Sequence, residues 1–161
     1  MNKKRWLVLI TACLLALAVW GVFYYRSVQM PNWTVTREVR QAVTETAGLE
    51  HIDSLTKHIW DEVTWIAQGS DASGQSVIVF LQNGEVIFRT EEENAMTKED
   101  MLQLFDRQHA DAKLVAIKPG WFRDQPAWEM QYKQQGSNGV FYHFYSLRNG
   151  EALDHFFIAT Y

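Results

Sequence analysis

Five histidines, His51, His58, His109, His143 and His155, are the side chains in this sequence best suited to acid–base chemistry or metal ligation near neutral pH. None stands at a spacing typical of paired metal ligands, and the only cysteine, Cys13, sits in an apolar run far from all of them. His143 and His155 fall in two strand-like segments of the last hairpin, where they can face each other. A weak metal or proton-sensing site is one reading of that pair and cross-strand packing is the plainer one. Nucleophilic catalysis needs a Ser, Thr or Cys beside a base, and neither a Gly-x-Ser-x-Gly elbow nor a Ser-x-x-Lys arrangement is present. The acidic run Glu91-Glu92-Glu93 lacks the spacing of a calcium loop, because successive side chains of an extended segment point apart. A hydrolase with paired carboxylates would need a cleft that two half-size domains do not suggest. The expectation is therefore no catalytic residue, no metal site and no cofactor.

A different chemistry, that of recognition, is suggested by Gly120-Trp121-Phe122-Arg123-Asp124-Gln125-Pro126. Neighbouring large apolar side chains cannot both point into one sheet core, and exposed aromatics beside an Arg are the residue types that anchor interfaces. Trp121, Phe122 and Arg123 are the candidate partner-binding residues. The alternative is that this loop folds back to cover a sheet edge.

Something must hold these residues in place, and the chain supplies an anchor first. Residues 6–25, WLVLITACLLALAVWGVFYY, carry no charge over a length that spans about 30 Å as a helix. Lys3, Lys4 and Arg5 precede the run and Arg26 closes it. Residues 1–5 then read as a cytoplasmic tail and 6–26 as a single-pass transmembrane helix, with everything after it extracytoplasmic at the cell membrane. The run is longer than a cleavable signal core and ends in bulky aromatics. Ile10-Thr11-Ala12-Cys13 resembles a lipidation pattern, but twelve apolar residues follow the cysteine where a polar tether belongs. All 19 acidic residues lie at or beyond Glu38, so from Ser27 onward 11 basic residues against 19 acidic ones leave a net −8. That balance disfavours nucleic acid and anionic surfaces as partners.

Beyond the anchor the sequence repeats. Leu81-Gln82-Asn83-Gly84-Glu85 recurs as Leu147-Arg148-Asn149-Gly150-Glu151, and Asn-Gly is the strongest short hairpin signal. Thr34 to Arg40 corresponds to Thr97 to Gln103 at an offset of 63. Each half reads as a helix followed by four strands. The first helix is framed by Thr34 or Thr36 and stopped by Gly48, and the second starts at Thr97 with Asp100 three residues on. In the first half the strands are Leu55 to Trp60, Val63 to Ser70, Ser76 to Leu81 and Glu85 to Thr90. In the second they are Lys113 to Pro119, Ala127 to Gln134, Gly139 to Leu147 and Ala152 to Thr160. The expected class is α+β, a transmembrane helix followed by two repeated helix-plus-antiparallel-sheet domains, at 27–91 and 92–161.

Taken together, the basic tail with its single anchor, the stretch Trp65 to Gly74, the Asn83-Gly84-Glu85 hairpin and its copy at Asn149-Gly150-Glu151 resemble the TseB-like cell-wall elongation regulators of Firmicutes, the YpmB-type proteins. The resemblance implies two PepSY-like, cystatin-like domains and a non-enzymatic role in peptidoglycan synthesis, exerted by binding a penicillin-binding protein. It carries over no active-site residues. The alternative function is a protease-inhibitor or propeptide-like PepSY module at the cell surface.

Overall fold

The computed structural model describes residues 39–160, apart from residue 42. A short helix, α1 (39–47), ends at Gly48, whose φ of 68° is the left-handed conformation that closes helices without a Cβ penalty. The chain then runs through β1 (Leu49–Ile59), β2 (Val63–Asp71), β3 (Ser76–Gln82) and β4 (Glu85–Glu91). A 3-10 turn at Glu92–Asn94 leads to α2 (Lys98–Gln108). Four more strands follow: β5 (Ala112–Phe122), β6 (Gln125–Gln134), β7 (Gly139–Ser146) and β8 (Ala152–Ala159). Each set of four forms an antiparallel meander in sequence order, β1-β2-β3-β4 and β5-β6-β7-β8. A shift of 63 residues carries β1 onto β5 end to end.

Local chemistry accounts for several of these elements. Asn83 and Gly84 take φ values of 53° and 85°, the doubly left-handed turn that matches strand twist in a two-residue hairpin. Thr97 and Asp100 form a reciprocal capping box at the start of α2: the Thr97 hydroxyl accepts from the Asp100 N–H at 3.1 Å and the Asp100 carboxylate accepts from the Thr97 N–H at 2.9 Å.

The expected α+β class is corrected by this architecture, which among the described residues is mainly antiparallel β with two short helices. Strands extend through residues that read as connections. β1 starts at Leu49, where Leu55 was expected, and β5 runs on past Pro119 to Phe122. Register shifts between Leu49 and His51 and between Ile52 and Ser54 explain why: each bulge inserts a residue and breaks the alternation that marks a strand in sequence. Among the described residues no helix is long and apolar enough to cross a membrane. Residues 6–26, read as the transmembrane helix, lie outside the described residues. The described residues from 40 to 160 lie within one compact unit.

Its core explains that unity. One face of the first sheet is covered by α1, with Val43 and Ala47 buried and the Arg89 guanidinium donating to the Ala47 carbonyl at 2.7 Å. The opposite face offers Ile66, Ile78 and Phe80. These join Met101 and Phe105 of α2 and Ile117, Trp128, Met130, Tyr132, Tyr145 and Leu147 in one cluster spanning both sheets. A four-stranded sheet this small buries too little surface alone, and sharing a core offsets the deficit.

Candidate functional site at the junction of the sheets

β1 is an edge strand of the first sheet and β5 an edge strand of the second. Alternation along the regular half of β1 puts Ser54, Thr56 and His58 on one face. On β6 the same rule puts Glu129 between Ala127 and Gln131, on the face where Lys118 and Phe144 are its register neighbours. The two elements meet at β5. His58 is fully buried, and its Nε2 lies 2.7 Å from Oε2 of Glu129, itself only 1% exposed. The Trp121 backbone N–H donates to His58 Nδ1 at 3.2 Å. Because Nδ1 accepts, Nε2 carries the proton and donates it to the carboxylate, which fixes the tautomer. Glu129 also accepts from the Gln131 amide and faces the Lys118 ammonium at 3.3 Å. Burial raises its pKa, but the hydrogen bonds from His58 and Gln131 and the charge on Lys118 outweigh that and hold it below the usual carboxylate range.

A histidine–carboxylate pair is also the machinery of a general base, so its surroundings decide what it can do. Here both imidazole nitrogens are spent, one on Glu129 and the other on a backbone N–H. The ring is closed in by Phe144 at 6.4 Å between centroids and by Gly120, where an added Cβ would come within 2.5 Å of Nε2. No lone pair faces a cavity. The pair serves to lock β1 against the second sheet. Beside it runs a cleft of about 360 Å³, lined among others by Ser54, Thr56, Gln68, Lys98, Lys118 and Trp128.

Trp121, Phe122 and Arg123 go to three different places. The Trp121 ring is half-buried against the first sheet, 5.6 Å from Phe80 and 6.2 Å from Phe88. Phe122, only 2% exposed, points the other way and stacks on Phe144 at 4.2 Å and 8°. Trp60, reaching over from the loop after β1, completes that second cluster. Arg123 is exposed, with its guanidinium over the Phe122 ring at 5.0 Å and paired to Asp154 at 2.6 Å. Arg123 and Asp124 have φ of 48° and 59°, a strained choice of residues for a tight hairpin.

No family model and no curated protein matches this chain. Among solved structures, the YpmB protein from Bacillus subtilis superposes with a TM-score of 0.65, over 74% of this chain and 96% of that one, at 14% identity. The chain has a YpmB-like fold. At that identity the likeness is one of architecture and does not reach individual site residues.

A second polar cluster lies on the α2 side of the second sheet. His143 and His155 are directly opposed across β7 and β8, with ring centroids 5.0 Å apart. His109, the residue capping α2, stacks on Tyr132 at 4.2 Å, and its Nε2 is buried without a hydrogen-bond partner. The Tyr145 hydroxyl donates to Gln108 at 3.0 Å, so towards His143 it accepts from Nδ1–H at 3.2 Å. His143 Nε2 is then left to accept from the Tyr132 hydroxyl at 3.1 Å. Burial, with His109 and His155 nearby, pushes the His143 pKa down to about 4, and burial pushes Tyr145 up to about 12.

A pH effect follows from the sign of the histidine shift. The folded value near 4 lies below the ordinary 6.5. The unfolded chain therefore binds more protons across that window, and stability falls as pH drops from about 6.5 towards 4. His143→Phe should flatten this part of the profile, measured as the difference in urea midpoint between wild type and variant at pH 7 and pH 4.5. Parallel profiles would show that the ring titrates in the folded state as it does in the unfolded one.

The hairpin pattern announces the facing of His143 and His155, but nothing in it announces His58 with Glu129. The available signal was a carboxylate inside the apolar run Ala127-Trp128-Glu129-Met130, a position that demands a partner without saying which.

Proposed function

We propose that this chain is a non-enzymatic, extracytoplasmic regulator of cell-wall elongation, held at the cell membrane by its apolar N-terminal segment and acting by binding a penicillin-binding protein. The observation that carries the reading is the YpmB-like fold, which spans nearly the whole of the YpmB chain and agrees with the family resemblance carried by the hairpin and anchor residues. The chemistry at the sheet junction supports binding over turnover, because His58 has no free nitrogen to act as a base. Tethering confines the domain to a thin layer beside membrane enzymes, which raises effective concentration without demanding high intrinsic affinity. Among the candidate contact residues, exposed Arg123 and half-exposed Trp121 are the ones a partner can reach.

The test is crosslinking in intact membranes followed by identification of the captured proteins. A penicillin-binding protein is expected among them, with altered cell shape on deletion of the gene. Failure to recover any, together with normal shape in the deletion strain, would defeat the proposal. Inhibition of a secreted protease by the purified protein would favour the propeptide-like alternative instead.

A further inference from the structure

We propose that the free edge of β8 is where two copies of this chain pair, β8 against β8, antiparallel and centred on Ile158. β8 ends its sheet, and among the described residues no strand lies on its outer side. Two bonds fix which of its backbone groups face outward. The Thr160 N–H donates to the Asn138 carbonyl on the β7 side at 2.8 Å, whereas the His155 N–H donates to the neighbouring Asp154 carboxylate at 2.8 Å. Bonding direction alternates along a strand, so Asp154, Phe156 and Ile158 face β7 while Phe157 and Ala159 turn their N–H and C=O away from it. Such a row is a template for another extended backbone.

The other sheet edges are engaged or guarded. β1 and β5 meet at the junction, where His58 takes the Trp121 N–H, and β4 carries Glu85, Arg89 and Glu91, charges that blunt an edge. On β8 the run from Phe156 to Ala159 has no charge, no proline and an unbroken register with β7. Phe157 and Ile158 are each 47% exposed there and, being adjacent, offer apolar surface on both faces. A second copy matches this edge in detail. A two-fold axis at Ile158 sets Phe157 opposite Ala159 of the second copy, and Ala159 opposite Phe157 of the second copy, with two backbone bonds in each pair made entirely from the free groups. Ile158 then faces itself. Asp154, the nearest charge, keeps its bond to His155 and its pair with Arg123, so no like charges oppose across the axis.

Site-directed crosslinking of the full-length protein in the cells that make it tests this, with Cys13→Ser removing the one native thiol. Directly opposed Cβ atoms of an antiparallel pair lie about 4.5–5.5 Å apart, within reach of a disulfide after a small adjustment. Ile158→Cys is therefore expected to give, on mild oxidation, a covalent species of twice the chain's mass. Ile87→Cys, on the guarded β4 edge, is expected to stay single. Ala159→Pro removes an outward N–H that β7 does not use, so it should abolish the Ile158→Cys dimer and leave the denaturant midpoint unchanged. No dimer from Ile158→Cys, an equal dimer from Ile87→Cys, or a dimer that survives Ala159→Pro would each overturn the proposal. So would an Ile158→Cys adduct with a different protein in place of the dimer, which would assign the edge to a heterologous partner.

Discussion

His58→Ala is expected to cost about 3–5 kcal/mol of folding stability, measured by chemical denaturation at pH 7, because it strands the buried carboxylate of Glu129. The reason for so large an effect is that water cannot replace the lost donor. Glu129 is 1% exposed, and of its remaining partners only Lys118 brings a charge. The acid dependence of stability should weaken as well. In the native protein Glu129 titrates below its usual 4.5, so its contribution is present above that value and lost as pH falls through the lower folded one. Without His58, only the Gln131 hydrogen bond and the Lys118 charge still oppose the effect of burial, so the folded pKa moves up and the stability that this group contributes above it shrinks. His58→Gln, which can still donate an N–H, should recover part of the loss. A His58→Ala variant as stable as wild type, with an unchanged pH profile, would show that the pair is not what holds β1 against the second sheet.

Much of the local structure was legible because it rests on residues close in sequence. The Asn83-Gly84 turn, the Thr97–Asp100 box and the stop at Gly48 each need only a few neighbouring residues, and each is where the residue types place it. What could not be read depends on distance or on irregularity. His58 and Glu129 are 71 residues apart, and no periodicity links them. The bulges in β1 scrambled the alternation of Glu50, His51 and Asp53, so six strand residues looked like a loop and the class was read with too much weight on its helices. The shared core was hidden for a similar reason. Ile66, Ile78 and Phe80 announce a buried face, but not that the cover comes from Trp121 and α2 in the other half of the chain.

The same oversight governs Trp121 and Phe122, and it sets the second large effect. Adjacent strand residues face opposite sides, so the argument that one of them must be exposed holds only for a sheet covered on a single face. Here both faces are covered at β5, by Phe80 and Phe88 on one side and by Phe144 and Trp60 on the other. Phe122→Ala should therefore behave as a core truncation and lose about 3–5 kcal/mol, since the stacked Phe144 and the edge of Trp60 cannot collapse into the space while β5 and β6 stay paired. Arg123→Ala removes an exposed pair with Asp154 and should change stability by less than about 1 kcal/mol. The contrast separates folding from recognition. If crosslinking to the partner is lost in Arg123→Ala with the melting curve unchanged, the β5–β6 hairpin is part of the contact surface. If the partner is captured equally well by Arg123→Ala, the hairpin serves the fold alone and the contact surface lies elsewhere. A Phe122→Ala protein that unfolds at the wild-type denaturant midpoint would contradict the packing described for the whole junction.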